Sequence, residues 1–532
     1  MTEGIQLFRE CACIRATAPS RLPKSEVVMQ KTFSRRDALR WAGAVSLATT
    51  FLPLSRHRAF AQPAAGKLQT RVLGRTGREV TTFGLGGVTC LMKLGDYATG
   101  LIVKTIKGGV TFLDTGNGYG ESQLNYGAAF RELNVVPGQP GYQAALRSRL
   151  FVSTKLGSRY AIIRDASAQA AGPRGGGARA LDELKRSLTQ MFGDGEGYIP
   201  DGAYVDMMHV HNLNTEAAVD AVFEGLDNPG DKSLPRVGTL ALLVDYRDGT
   251  DLTGLNPDHK KWIRHIAMSC HENPTSVMYA MRKDKNNIFE GLMCTINPND
   301  PGYFCFETNA LPVAQAKNVG VIAMKVFSDG VFWGKGEHYG GEWVKTIGLP
   351  DKVPYQDFIG YSLSAPGLHT AVIGIGEVDK NNDPQRDQFV ANLAACQTAR
   401  DLTRRERKDI ISQVAGLHGT HTNFYQRPGS GLQPPQNLRV NRPENGPAEV
   451  LWDTAYAAAS PLATYEIFRR HDLIARVPYA PQISEEPFRF VDNGIKGRFP
   501  GGLWYRVRVV DAEGATADSN TVLAPQAPRL AG

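Results

Sequence analysis

The sequence predicts an α/β protein, a (β/α)8 barrel followed by a small all-β sandwich. Three observations predict it. Eight strand-like apolar runs between Leu73 and Leu417 alternate with segments of helical period. Several of those runs are apolar throughout, as strands buried on both faces are. Past a Gly-, Thr-, Gln- and Pro-rich stretch at 418–435, the pattern changes to short alternating runs divided by turn signals. The boundaries that follow are 1–61 for a leader, 62–417 for the barrel, 418–435 for a linker and 436–527 for the sandwich.

The leader comes first. Ser34-Arg35-Arg36-Asp37 is a twin-arginine pattern, an apolar region runs from Trp41 to Leu54, and Ala59-Phe60-Ala61 offers a small-residue cleavage site. The apolar run is too short to span a membrane comfortably. The expectation is therefore a periplasmic or exported protein that meets the twin-arginine export machinery. The leader also explains the charge. Residues 1–61 carry a local +6 of the chain's net +7. What remains is nearly neutral and shows no basic patch interleaved with aromatics, which argues against a nucleic-acid partner.

The eight barrel strands are expected near Thr82–Gly87, Val110–Asp114, Leu150–Lys155, Val205–His211, Arg264–Ser269, Gly291–Asn297, Gly320–Lys325 and Thr370–Ile375. Between the third and fourth, Leu181, Leu184, Leu188 and Met191 form one stripe of a helix over 178–191. Val136–Ser148 and Gly172–Gly177 read as loops, and Asn228–Pro257 as an insertion. Pro301–Thr308 and Gly334–Leu349 extend the rim, with Trp333, His338, Tyr339 and Trp343 near the second, and such loops commonly wall a substrate site. The sandwich strands are expected at 436–440, 449–452, 465–469, 488–491 and 503–509.

Of the seven cysteines, Cys11 and Cys13 belong to the leader. The remaining five form no C-x-x-C pair, which disfavours a zinc ribbon or an iron–sulfur cluster. Most are expected to be buried and inert, with Cys294–Cys305 as the one candidate disulfide.

Chemistry is suggested by what stands at the strand ends. Asp114 ends the second run, Tyr119 follows it between glycines, Lys155 ends the third and His211 ends the fourth. Singly, each has an ordinary explanation: a helix cap, a packed loop residue, a solvated amine, a core histidine. Together they fall at the C-terminal ends of successive strands, the mouth where a parallel barrel carries its chemistry. A phenol near its usual pKa of ~10 is a weak acid, and an adjacent ammonium stabilises the phenolate. Lys155 would tune Tyr119, and Asp114 would hold Lys155. His209 competes with His211, since the two are two residues apart and share a face.

These motifs resemble the aldo-keto reductase superfamily. Asp114-Thr115-Gly116-Asn117-Gly118-Tyr119-Gly120 is similar to its D-T-A-x-x-Y-G motif. Ser122-Gln123-Leu124-Asn125-Tyr126-Gly127 is similar to its S-E-x-x-x-G, with Gln for Glu. Asp206 to His211 is similar to its D-L-x-x-x-H strand, and Leu73-Gly74-Arg75-Thr76-Gly77 to its N-terminal signature. The resemblance covers 73–417 and implies a TIM barrel and interconversion of a carbonyl and an alcohol with NADP, or NAD. Tyr119 would then give and take the proton and His211 orient the substrate, an aldehyde, ketone or sugar. It further implies cofactor contacts from Ser269, Lys325, Phe327, Ser328, Gly330, Gly374, Gly376 and Asn392, and no metal. Cys270 stands where the family has Asn, and Met293 near its Gln position. Lys380 and Arg386 are the candidates for a 2′-phosphate contact. The C-terminal runs resemble a fibronectin type III module, a class that serves as spacers or as envelope- and polysaccharide-binding units. Two other readings stay open: an enzyme that traps its cofactor for internal redox such as epimerisation, and a non-catalytic envelope binding protein on a reductase scaffold.

Overall fold

The computed structural model describes residues 67–525, except 89, 93–94, 158–161, 164–177, 232, 235, 329, 331–352, 377–386, 419–428, 444–445, 496, 498 and 500–501. The twin-arginine segment, the loop at 172–177, Trp333, His338, Tyr339, Trp343, Lys380 and Arg386 lie outside the described residues.

A short antiparallel hairpin opens the chain, β1 (Thr70–Val72) against β2 (Glu79–Thr81). The barrel strands follow as β3 (Phe83–Leu85), β4 (Phe112–Asp114) and β5 (Phe151–Leu156). A two-residue β6 (Ile162–Ile163) precedes β7 (Val205–Val210), and β8 (Arg236–Val237) pairs antiparallel with β6. β9 (Ile263–Cys270), β10 (Phe289–Thr295), β11 (Gly320–Met324) and β12 (Leu368–Ile373) complete the set. The eight close in the order β10-β11-β12-β3-β4-β5-β7-β9, every neighbour parallel. All eight runs read from the sequence are these strands.

Period-two alternation decides what fills the barrel. Phe112, Phe151, Met207, Ala267, Met293, Ile322, Met324 and Val372 pack as one buried cluster with Leu73 and Val80, so the hairpin plugs the N-terminal end. Two residues further along their strands, the same faces carry Asp114, Ser153, His209 and Ser269. The interior thus grades from apolar to polar toward the C-terminal mouth. The opposite faces, including Leu113, Val152, Met208, Leu292 and Ile373, join the core beneath the outer helices. The helix Ala178–Phe192 buries Leu184, Leu188 and Met191 completely. Each buried leucine contributes about 2 kcal/mol of transfer free energy.

The stretch 228–257, expected as an insertion, is a working part of the barrel. It holds the helix Thr239–Asp248, whose Leu240, Leu242, Leu243 and Tyr246 are buried. Its apolar residues come almost consecutively, so no stripe marks it. The expected loop 136–148 likewise runs into the short helix Ala144–Arg149. The candidate disulfide is not formed: Cys270, Cys294, Cys305 and Cys396 are all free and buried. Burial pushes the Cys270 thiol up to about 11 and the Cys294 and Cys305 thiols well above their usual range.

Two antiparallel sheets follow the barrel. One is β13 (Gln436–Asn441), β14 (Ala448–Asp453) and β17 (Phe488–Asp492); the other is built on β15 (Leu462–Arg469), β16 (Asp472–Pro478), β18 (Trp504–Asp511), β19 (Thr516–Asp518) and β20 (Val522–Leu523). Val450, Trp452, Tyr465, Ile467, Tyr505 and Val507 from both sheets share one core. The Trp452 ring stacks on Phe488 at 5.8 Å and meets Tyr465 edge-on at 5.5 Å. This module is fastened to the barrel. Asn309 of the helix Phe306–Ala316 donates to the Ala457 carbonyl at 2.9 Å and accepts from its N–H at 2.8 Å. Thr308 donates to the Ala458 carbonyl, and Tyr456 packs against the barrel core with Phe304 edge-on at 6.0 Å.

Candidate active site

Strand register assembles the mouth. Asp114 pairs with Ser153, and Lys155 with His209, so Asp114 and Lys155 rise from adjacent strands and His211 follows one step above. The chain leaving β3 comes close against the end of β4 because it presents no side chain there: a Cβ on Gly87 would lie 2.3 Å from the Asp114 carbonyl oxygen. After β4, Asn117 ties the loop to β5, its N–H donating to the Lys155 carbonyl at 3.0 Å. Its side chain reaches Ser187 Oγ at 2.8 Å. Gln123 reaches Thr154 and the same serine, so the glutamine at the family's Glu position serves this packing.

That loop lays the Tyr119 ring beside Lys155. The Lys155 ammonium stands 4.8 Å from the ring centroid, within cation–π range. Gly116 lies against both groups: a Cβ there would stand in ordinary contact with the Tyr119 ring and the Lys155 stem, at 3.4–3.5 Å. The same ammonium touches Asp114 Oδ1 at 2.5 Å and Oδ2 at 2.6 Å and donates to the Thr115 carbonyl at 2.8 Å. Only 3% of Asp114 and 1% of Lys155 is exposed. Burial raises the Asp114 pKa and lowers that of Lys155, so each charge depends on the other for its place in the interior.

The two candidate histidines separate cleanly. His211 is half-buried at the mouth, its ring edge-on to Tyr119 at 5.9 Å, and His271 lies 6.4 Å beyond it with 5% exposure. His209 lies fully buried one layer deeper, with Nε2 2.9 Å from Ser153 Oγ and Nδ1 3.4 Å from the Met268 carbonyl. Burial first, then the nearby Lys155 charge, holds the His209 pKa well below the usual imidazole value, so its ring is neutral. Tyr119, Lys155, Asp114, His211 and His271 form one constellation. His271 follows the Ser269 strand end, and that position in the sequence already marks it as able to line the site.

The residues expected to hold a cofactor occupy the same end of the barrel. Ser269 is buried under the loop after β7, its hydroxyl accepting from the Asn212 N–H at 3.1 Å. Cys270 faces outward, its thiol donating to Asn214 Oδ1 at 3.2 Å, and Met293 is interior packing. After β11 the backbone turns sharply, with Lys325 at φ 59° and Ser328 at φ 48°. The Ser328 N–H returns to the Lys325 carbonyl and that of Gly330 to Phe327. After β12, Gly374 is exposed, while the Gly376 N–H donates to Gln388 Oε1 at 2.6 Å. Asn392, on the helix Gln388–Thr398, is 1% exposed, and among the described residues neither end of its amide has a hydrogen-bond partner. A buried, unsatisfied amide costs about 1–3 kcal/mol per group, and a bound polar ligand would relieve it. This edge thus presents an exposed glycine, Gly374, and an amide, Asn392, with an unused donor and acceptor. Among the described residues, no group of three or more His, Cys, Asp or Glu side chains could hold a metal ion.

No protein-family model and no curated protein matches the chain. Solved structures similar to it include two candidate aldo-keto reductases from Pseudomonas aeruginosa. One is 17% identical with a TM-score of 0.39, covering 64% of this chain and 98% of its own. The other is 18% identical with a TM-score of 0.38, covering 63% and 96%. The central fibronectin type III array of RIM-binding protein is 20% identical over 19% of this chain and 37% of its own, with a TM-score of 0.15. Likenesses this remote say nothing of chemistry, which has to be argued from the side chains.

Proposed function

We propose that the chain is a nicotinamide-dependent oxidoreductase that interconverts a carbonyl compound and an alcohol, an aldo-keto reductase in type. The observation that carries this reading is the Tyr119 ring lying 4.8 Å from an ammonium that is itself clasped by both oxygens of Asp114. A phenol is a useful acid only when its conjugate base is stabilised, and a buried, immobile ammonium does that better than a solvated one. The cofactor, when bound, supplies or accepts the hydride. Tyr119 gives its proton to the substrate oxygen in reduction and takes it back in oxidation. Lys155 steadies the phenolate, Asp114 holds Lys155, and His211 bounds and orients the substrate oxygen from the opposite side. Asn392 and the turns at Ser328, Gly330 and Gly374 would hold the dinucleotide. The chain departs from the family at Cys270 and Met293, which leaves the nicotinamide end with fewer polar contacts than the adenine end.

The setting belongs to the same proposal. The twin-arginine pattern at Arg35-Arg36 supports export of the folded protein. The C-terminal sheets, fibronectin type III-like in their run of strands, would travel as part of the enzyme. The test is to incubate purified protein with NADPH and para-nitrobenzaldehyde. Oxidation of NADPH that Tyr119→Phe abolishes without loss of nucleotide binding supports the reading. Bound nucleotide with no turnover, or no binding at all, defeats it.

A further inference from the structure

One polar couple, Ser153 and His209, is fully buried where the barrel interior turns from apolar to polar, and the proposed chemistry makes no use of it. Directly beneath them the barrel is filled by Phe151, Met207, Ala267 and Met293. A buried serine and histidine among such residues need a reason, since two apolar side chains would fill the space without desolvation cost.

Donor accounting supplies one. The Lys155 ammonium has three N–H donors, and three acceptors hold it: Asp114 Oδ1, Asp114 Oδ2 and the Thr115 carbonyl. To donate to a phenolate on Tyr119, it must release one. Releasing Asp114 Oδ1 strands a buried carboxylate oxygen. The Ser153 hydroxyl stands 3.4 Å from that oxygen and is the donor placed to replace the lost contact. At rest its proton is engaged elsewhere. His209 Nδ1 faces the Met268 carbonyl, which only accepts, so Nδ1 carries the imidazole proton. Nε2 then accepts from the Ser153 hydroxyl at 2.9 Å.

We propose that Ser153 and His209 are a positioning couple for the site: the serine hydroxyl turns from His209 Nε2 to Asp114 Oδ1 when Lys155 turns toward the Tyr119 phenolate. No covalent bond changes and no net charge moves; one hydrogen bond is exchanged for another. The inference rests on the proposed roles of Tyr119 and Lys155. Among the described residues, the charged or titratable groups facing this network are Asp114, Lys155, Tyr119, His211 and His271.

The couple has a signature that structural packing lacks. Ser153→Ala removes the replacement donor, keeps Lys155 on Asp114 and raises the Tyr119 pKa. His209→Leu removes the competing acceptor, frees the hydroxyl for Asp114 and lowers it. Each shift is expected at about half a pH unit, a fraction of one hydrogen bond's effect on a neighbouring titration. The experiment is an NMR titration of the full chain labelled with 13Cζ-tyrosine, the Tyr119 signal being the one missing from Tyr119→Phe. It needs no substrate. Opposite displacements by the two variants support the couple; displacements of one sign, or none, overturn it. Should His209→Leu not fold, Ser153→Ala decides alone, an unchanged or lowered midpoint overturning the proposal. A wild-type midpoint at or above the ordinary phenol value defeats the ammonium's role instead, so the two failures are told apart.

Discussion

Replacing Lys155 with Met tests the ion pair on which the site is built. The substitution removes the cation within 2.6 Å of both Asp114 oxygens and leaves the Ser153 hydroxyl, 3.4 Å from Oδ1, as the nearest side-chain donor. With 3% of Asp114 exposed, water cannot take the place of the ammonium. Breaking a buried pair by removing one partner costs about 3–5 kcal/mol. The carboxyl escapes part of that cost by taking a proton, which makes the loss depend on pH. The folded-state pKa of Asp114, already raised by burial beside Lys155, rises further without it. Stability from such a group is fully present below the unfolded pKa and is lost as pH rises through the folded one. Lys155→Met should therefore be less stable at about pH 8 than at about pH 5, by up to ~4 kcal/mol at ~1.4 kcal/mol per pH unit. Lys155→Met/Asp114→Asn should recover much of the loss and flatten the pH dependence. The assay is guanidinium unfolding of the three proteins at both pH values, followed by circular dichroism. A single variant that loses under about 1 kcal/mol at both pH values would show that no buried charge was stranded.

Three further expectations concern other parts of the molecule. Asn392→Leu removes an unsatisfied amide, so the nucleotide-free protein should gain about 1 kcal/mol in stability while NADPH affinity falls by about tenfold, read by thermal unfolding and fluorescence quenching. Equal NADPH affinity in that variant would remove Asn392 from the base site. Asn309→Leu cuts both hydrogen bonds to Ala457; a single unfolding transition should broaden or split, and an unchanged calorimetric profile would show that the module docks without them. Trp452→Ala empties the sandwich core and should cost that module about 3–5 kcal/mol while leaving nucleotide binding by the barrel intact.

How much was legible in the sequence depended on periodicity and on local motifs. The barrel strands were readable because strands buried on both faces are apolar throughout, and their ends could be read to within two residues or so. Asp114, Tyr119, Lys155 and His211 were readable as a group because each follows such a run. The helix Thr239–Asp248 was not, because its apolar residues fall almost consecutively and no stripe emerges. β16 was missed because Asp472–Pro478 is largely exposed and only weakly alternating. The free state of Cys294 and Cys305 depends on how neighbouring elements pack, which spacing does not encode. The Ser153–His209 contact was invisible for the same reason: it joins two strands whose register emerges only when the barrel closes. Asn392 was identified by motif, but the unsatisfied state of its amide belongs to the folded surroundings.

The central claim is that a phenol tuned by a buried ammonium protonates a carbonyl as hydride arrives from a nicotinamide. Its most direct test uses NADPH deuterated at the transferable position, with para-nitrobenzaldehyde as acceptor and mass spectrometry of the alcohol. The account predicts one deuterium on the carbinol carbon with the wild-type chain and no alcohol with Tyr119→Phe. Nucleotide bound without deuterium transfer, or equal transfer by Tyr119→Phe, would contradict it.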